Sequence, residues 1–156
     1  MGSFRELIIK CNDRFINWVV TRPLRREKDP QRRFEIKLWM EIKGSFLGGM
    51  DSTMSWVKYK SYYYDKLPTE DEKKRVREAL LSMLKSSKHE IPQKALIAYV
   101  CADLEIKEAL QDVGDLLQRA QDRSSKNQLN LALEALTRGI PVDKLIDEKF
   151  RRGERM

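Results

Sequence analysis

The stretch Phe34-Glu35-Ile36-Lys37-Leu38-Trp39-Met40-Glu41-Ile42-Lys43 supports two readings, and the choice between them decides the fold class. Read with a period of two, Phe34, Ile36, Leu38, Met40 and Ile42 share one face of a half-buried strand. That strand would pair with residues 54–64 in a β-hairpin turning at residues 44–52. Read with a period of 3.6, Phe34, Leu38, Ile42 and Phe46 line one side of a helix. Glu, Lys, Leu and Met are strong helix formers, and Gly48-Gly49 would end such a helix. Residues 54–64 alternate poorly, and Trp56, Tyr59 and Tyr63 fit a helical face better. The helical reading is preferred, with a β-hairpin at residues 33–64 as the alternative.

Outward from this stretch the signals are helical. Downstream, Thr69 and Glu72 have the form of a capping box, and Glu70-Asp71-Glu72 place negative charge at the positive end of a helix dipole. Val76, Leu80, Leu81 and Leu84 follow on one face. Residues 86–89 read as a loop, and Pro92 suits a first helical turn, with Ala95, Leu96, Tyr99 and Val100 behind it. A break is expected near residues 102–104, with Asp103 as the next N-cap. Leu104, Ile106, Leu110, Val113, Leu116 and Leu117 then line a helix ending near Asp122. Residues 124–127 read as loop or cap before a helix through Leu129, Leu131, Ala132, Leu133 and Leu136. Gly139 is placed for a left-handed C-cap. Pro141 blocks continuation, and Val142, Leu145, Ile146 and Phe150 mark a short last helix before a polar tail at 151–156. Upstream, Leu7, Ile8, Cys11, Phe15 and Trp18 suggest a helix over 4–20, with Ser3 and Glu6 as its capping box and a stop before Pro23. The expectation is a mainly α, single-domain helical bundle of about six to seven helices over 1–156, with a basic, aromatic-rich part at 1–66 and a leucine-rich helical part at 67–150.

At 156 residues and 41% hydrophobic, the chain has the size and apolar content of one folded domain. It contains no apolar run of the ~18 residues a membrane span needs, and its start lacks the order of a signal peptide. Cys11 and Cys101 show no paired spacing, and with His89 as the only histidine they cannot make a four-ligand zinc site. Core packing is the expected role of both thiols. No nucleophile elbow or phosphate-cradling glycine loop accompanies His89, Gly44, Gly48 or Gly49. The expectation is therefore a protein without catalytic residues, metal or cofactor, intracellular, in cytoplasm or nucleus.

The charge is the most informative feature. The net charge is +7, from 31 Lys and Arg against 24 Asp and Glu. Residues 1–66 carry 14 basic and 8 acidic side chains, and residues 67–156 carry 17 and 16, so the excess is N-terminal. It is densest at residues 21–33, where Arg22, Arg25, Arg26, Lys28, Arg32 and Arg33 face only Glu27 and Asp29. With Pro23 and Pro30, this stretch reads as a connecting loop. Arginine forks grip phosphates bidentately. A helix through residues 58–66 would add Lys58, Tyr62 and Lys66 at i, i+4 and i+8, two cations and a ring able to stack on a base. These residues are the candidate nucleic-acid-binding set, favouring RNA or single strands over duplex DNA. Two alternatives have other partners: a helical interaction adaptor or inhibitor docking on an acidic protein, and a peripheral assembly protein on an acidic membrane. A leucine-rich bundle also leaves room for a homo-oligomer.

Overall fold

The structure is a computed structural model, and it describes residues 22–47 and 56–154. The helix expected over 4–20 and its capping box lie outside the described residues. Two compact units divide the chain, Met1–Trp39 and Met40–Met156.

In the first unit, α1 (Arg22–Arg26) is followed by a three-residue elbow and by the start of α2 (Pro30–Gly44), which continues into the second unit. The loop expected at residues 21–33 is thus corrected to two helices and a short turn. Pro23 and Pro30 cause no break because each falls in a first helical turn, where the missing N–H has no partner to lose. The ambiguous stretch at 34–43 is helical throughout. Leu38 and Ile42, four residues apart, are buried on it. The helix stops at Gly44, ahead of the glycine pair expected to end it, and Ser45 turns the chain with its hydroxyl donating to the Ile42 carbonyl at 2.7 Å. A remnant of the hairpin survives: β1 (Phe46–Leu47) pairs antiparallel with β2 (Trp56–Val57), Phe46 opposite Val57 and Leu47 opposite Trp56.

The second unit then runs through α3 (Tyr59–Tyr62), a 3-10 turn (Tyr64–Lys66), α4 (Glu70–Lys85), α5 (Ile91–Asp103), a 3-10 turn (Lys107–Ala109), α6 (Leu110–Arg119), α7 (Arg123–Arg138) and α8 (Val142–Arg151). This is the mainly α bundle the sequence suggests. Its centre is α5, where Ala95, Ile97, Ala98, Val100, Cys101 and Ala102 are all buried. A helix buried all round needs neighbours on every side, and α5 packs against α3, α4, α6, α7 and α8. Leu80, Met83, Ile106, Val113, Leu129, Leu136 and Leu145 complete the core. Leu110 and Phe150, expected on apolar faces, are instead exposed.

The caps explain where helices begin and end. The Thr69 hydroxyl accepts from Glu72 N–H at 3.2 Å, as the sequence pattern requires. Asp122 accepts from Ser125 N–H at 2.8 Å, so residues 124–127 are the first turns of α7 rather than a loop. Gly139 takes the left-handed conformation at φ 65°, letting Ile140 N–H reach the Ala135 carbonyl at 3.1 Å. Asp103 closes α5 and caps no following helix, contrary to expectation.

Glu105 holds φ 55° just after α5, where Ile106 N–H bonds back to the Cys101 carbonyl at 2.8 Å. That left-handed site favours glycine, since a side chain there costs about 1–2 kcal/mol. Glycine gives back about half of this through its freer unfolded chain. Glu105→Gly is therefore expected to raise stability by about 0.5–1 kcal/mol. Urea denaturation checks this, and a loss of stability would mean that the Glu105 side chain contributes a contact of its own.

Candidate nucleic-acid interface

The Arg-rich segment is organised by its two acidic residues. Asp29 Oδ1 accepts from Gln31 N–H at 3.1 Å, capping α2 with Pro30 in its first position. Glu27 Oε1 accepts from the backbone N–H groups of Lys28 and Asp29, both at 3.0 Å. Its second oxygen lies 3.3 Å from Arg32 Nε. The Glu27 carbonyl receives Arg33 Nη1 at 3.3 Å. One glutamate thereby fixes the elbow and places the first two arginines of α2. Sequence reasoning took Glu27 only as a charge offset and missed this structural role. The signal that marks the elbow is Asp29-Pro30, an N-cap followed by a first-turn proline.

On α1, Arg22, Arg25 and Arg26 stand at i, i+3 and i+4, so their side chains leave the same side of one helical turn. All three are exposed, as is Lys28 in the elbow. Among the described residues, no ion pair within 4.0 Å engages Arg22, Arg26 or Lys28. Arg32 is tied to the Glu27 carboxylate and is still half exposed at 49%. The segment concentrates positive charge because its acids are turned toward the backbone and Arg32.

The other candidates belong to the second unit. Lys58, Tyr62 and Lys66 are all exposed, Tyr62 at 41%. They do not form the expected continuous helical stripe: α3 ends at Tyr62, Tyr63 leaves helical geometry at φ −127°, and Lys66 lies in a separate 3-10 turn. Residue Tyr59 supplies the buried side of this segment, its ring 5.7 Å from that of Tyr63 at an interplanar angle of 23°. Burial, with the Glu41 carboxylate nearby, pushes the Tyr59 phenol well above its ordinary range. Trp56, expected on the same stripe, lies in β2 instead. Lys73 Nζ sits 5.7 Å from the centroid of the Tyr64 ring, whereas Tyr62, like Phe150 on α8, is an exposed aromatic.

Cys101 is a fully buried free thiol, and desolvation pushes its pKa up, away from reactivity. The His89 loop stands where the sequence places it, between α4 and α5. Among the described residues, no three His, Cys, Asp or Glu side chains converge as a metal site, and no helix is long and apolar enough to cross a membrane. No known family model matches this chain, and neither the known proteins nor the solved structures compared with it show a significant similarity.

Proposed function

We propose that this chain is an intracellular binding module for nucleic acid, gripping RNA or single strands through phosphate contacts rather than reading duplex sequence. The observation that carries the reading is the arrangement of α1: three exposed arginines on one side of a single turn, beside an elbow whose glutamate is already occupied. The Arg22 and Arg26 guanidinium groups, without an ion pair among the described residues, can each meet a phosphate oxygen without first breaking a strong internal pair. Arg33 and Lys28 extend the positive field along the elbow. Tyr62, flanked in sequence by Lys58 and Lys66, offers a ring for base stacking worth ~1–3 kcal/mol. The buried thiol of Cys101 suits a reducing compartment.

The test is fluorescence anisotropy with an unstructured single-stranded RNA oligonucleotide across a range of salt. Affinity should fall steeply as salt rises. The double variant Arg22→Ala/Arg26→Ala should bind about tenfold more weakly at low salt, and its log–log salt slope should be shallower by about 1.4, the ~0.7 per phosphate of a single strand counted twice. Unchanged affinity and slope would reject α1 as the phosphate-binding element. A variant that keeps RNA affinity but loses an acidic protein partner would replace the proposal with the adaptor reading.

A further inference from the structure

A second feature, independent of the Arg-rich segment and of the nucleic-acid reading, lies wholly within the second unit. Lys94, in the first turn of α5, is a buried charged side chain with only 6% of its surface exposed. Among the described residues, no hydrogen bond or ion pair engages its ammonium. The side-chain polar atom that is both sealed from water and unpartnered there is the Tyr59 hydroxyl. The Lys94 nitrogen, equally unpartnered, therefore touches solvent itself. Its four-carbon stem is packed into the bundle and its tip alone emerges.

Three features around that tip oppose a positive charge. Burial strips the ammonium of part of its hydration. Arg119, in the last turn of α6, brings a like charge. Helical side chains lean toward the N-terminus of their helix, and at that end the α5 dipole presents its positive pole. The carboxylates nearby are committed elsewhere. Asp112 on α6 favours the charged form, but it also lies 3.8 Å from Lys85 Nζ at the end of α4. Glu90, the N-cap of α5, is held in a capping box with Gln93. Burial first, and Arg119 second, hold the Lys94 ammonium below the ordinary lysine range, against the pull of Asp112. Free amine is thereby more populated near neutral pH than at an ordinary lysine.

Desolvation and a neighbouring cation are the two conditions that activate a lysine as a nucleophile, and Lys94 meets both. We infer that Lys94 is an acylation site, whose packed stem presents the amine to a small anionic donor of the acyl phosphate class beside Arg119. The Lys94 nitrogen attacks the acyl carbon, and the new N–C bond forms as the C–O bond to phosphate breaks. Phosphate leaves with the bonding electron pair, and the amine proton passes to solvent. The Arg119 guanidinium suits the phosphate end of the donor. An opening this narrow favours a short acyl group such as acetyl. The product is a neutral amide, which ends the repulsion from Arg119 and the cost of a partly desolvated charge, so the fold does not oppose the modified state.

Incubation of the full chain with acetyl phosphate at pH 7.5 tests the site. Denaturation, labelling of the remaining amines with deuterated acetic anhydride and peptide mass spectrometry then read the acetylation rate at each lysine. Lys144 on α8 is the internal reference, being exposed and without an ion pair among the described residues. Lys94 is expected to react at least about threefold faster than Lys144 despite its smaller opening, and its rate should rise at lower pH. Arg119 is exposed, so Arg119→Gln removes the neighbouring charge without touching the core. In that variant the Lys94 rate should fall about threefold, toward that of Lys144, and its pH profile should move to higher pH, with Lys144 unchanged. A Lys94 rate equal to or below that of Lys144, or a rate and pH profile at Lys94 unmoved by Arg119→Gln, would overturn the assignment.

Discussion

Leu129→Ala is expected to destabilise the chain by about 3–4 kcal/mol and to lower its melting temperature by about 8–15 °C. Leu129 lies on α7 with none of its surface exposed. Its helix makes the most extensive packing with the central helix α5. Replacement by alanine removes three buried carbons and leaves a void that flanking helices can fill only in part. Small residues already bring the helices close: Ala132 and Ala135 on α7 and Ala95, Ala98 and Ala102 on α5 are all buried. Backbones at such short range cannot collapse further, so the void should persist. Leu110→Ala is the control, because this residue is 38% exposed at the start of α6, and it should cost less than about 1 kcal/mol. Denaturant midpoints at unchanged m report both values. Equal losses in the two variants would mean that α7 does not seat against α5 as described.

The bundle was legible in the sequence wherever a helix has one wet and one dry side. Val76, Leu80 and Leu84 announce α4, and Leu129, Ala132 and Leu136 announce α7, because solvent on one side forces the periodicity. α5 gave a weaker signal for the opposite reason: buried on every side, it has no polar face to set a phase. The stretch at 34–43 was ambiguous because alternation and 3.6-periodicity share Phe34, Leu38 and Ile42, and intrinsic propensity settled it. Residues 21–33 misled because prolines were read as breakers at positions where a first helical turn accepts them. The cap at Asp122 was hidden by the two serines after it, which resemble a loop until an N-cap is assigned three residues before Ser125.

The candidate sites divide along the same line. Charge density at Arg22–Arg33 is a property of composition and could be read directly. The role of Glu27 depends on an elbow whose hydrogen bonds form only once α1 and α2 exist, so nothing in local spacing marked it. The cavity beside Asp103 was less legible still. Its residues come from positions 60–65, 99–103 and 142–143, and only the packing of α3 and α8 against α5 brings them together. Asp103 looked like an N-cap because aspartate after a helical run usually is one; the structure uses it as a cap across space, for the N–H of Lys60.

That position sets the second large effect, on the pH dependence of folding. Asp103 is held at about 6 against an ordinary 3.8, chiefly because burial disfavours its charged form. Asp143 and Asp65 push in the same direction, while the Lys60 N–H and ammonium oppose it. The other groups facing it are the Tyr99 phenol on its own helix and Lys58 at the cavity rim. A carboxyl whose pKa rises on folding binds its proton more tightly in the native state. Its contribution is therefore fully present below pH 3.8 and is lost as pH climbs through about 6. Each tenfold change in proton affinity corresponds to about 1.36 kcal/mol, which puts the ceiling near ~3 kcal/mol; solvent screening at a partly exposed group reduces this to about 1–2 kcal/mol. Asp103→Asn keeps an acceptor for Lys60 N–H and carries no charge at any pH. The variant should accordingly be more stable than the parent by about 1–2 kcal/mol at pH 7.5, with the gain shrinking to nothing by pH 4. Urea denaturation at pH 4, 5.5 and 7.5 measures the difference, and a pH-independent loss of stability would show that the charge itself holds α3 in place.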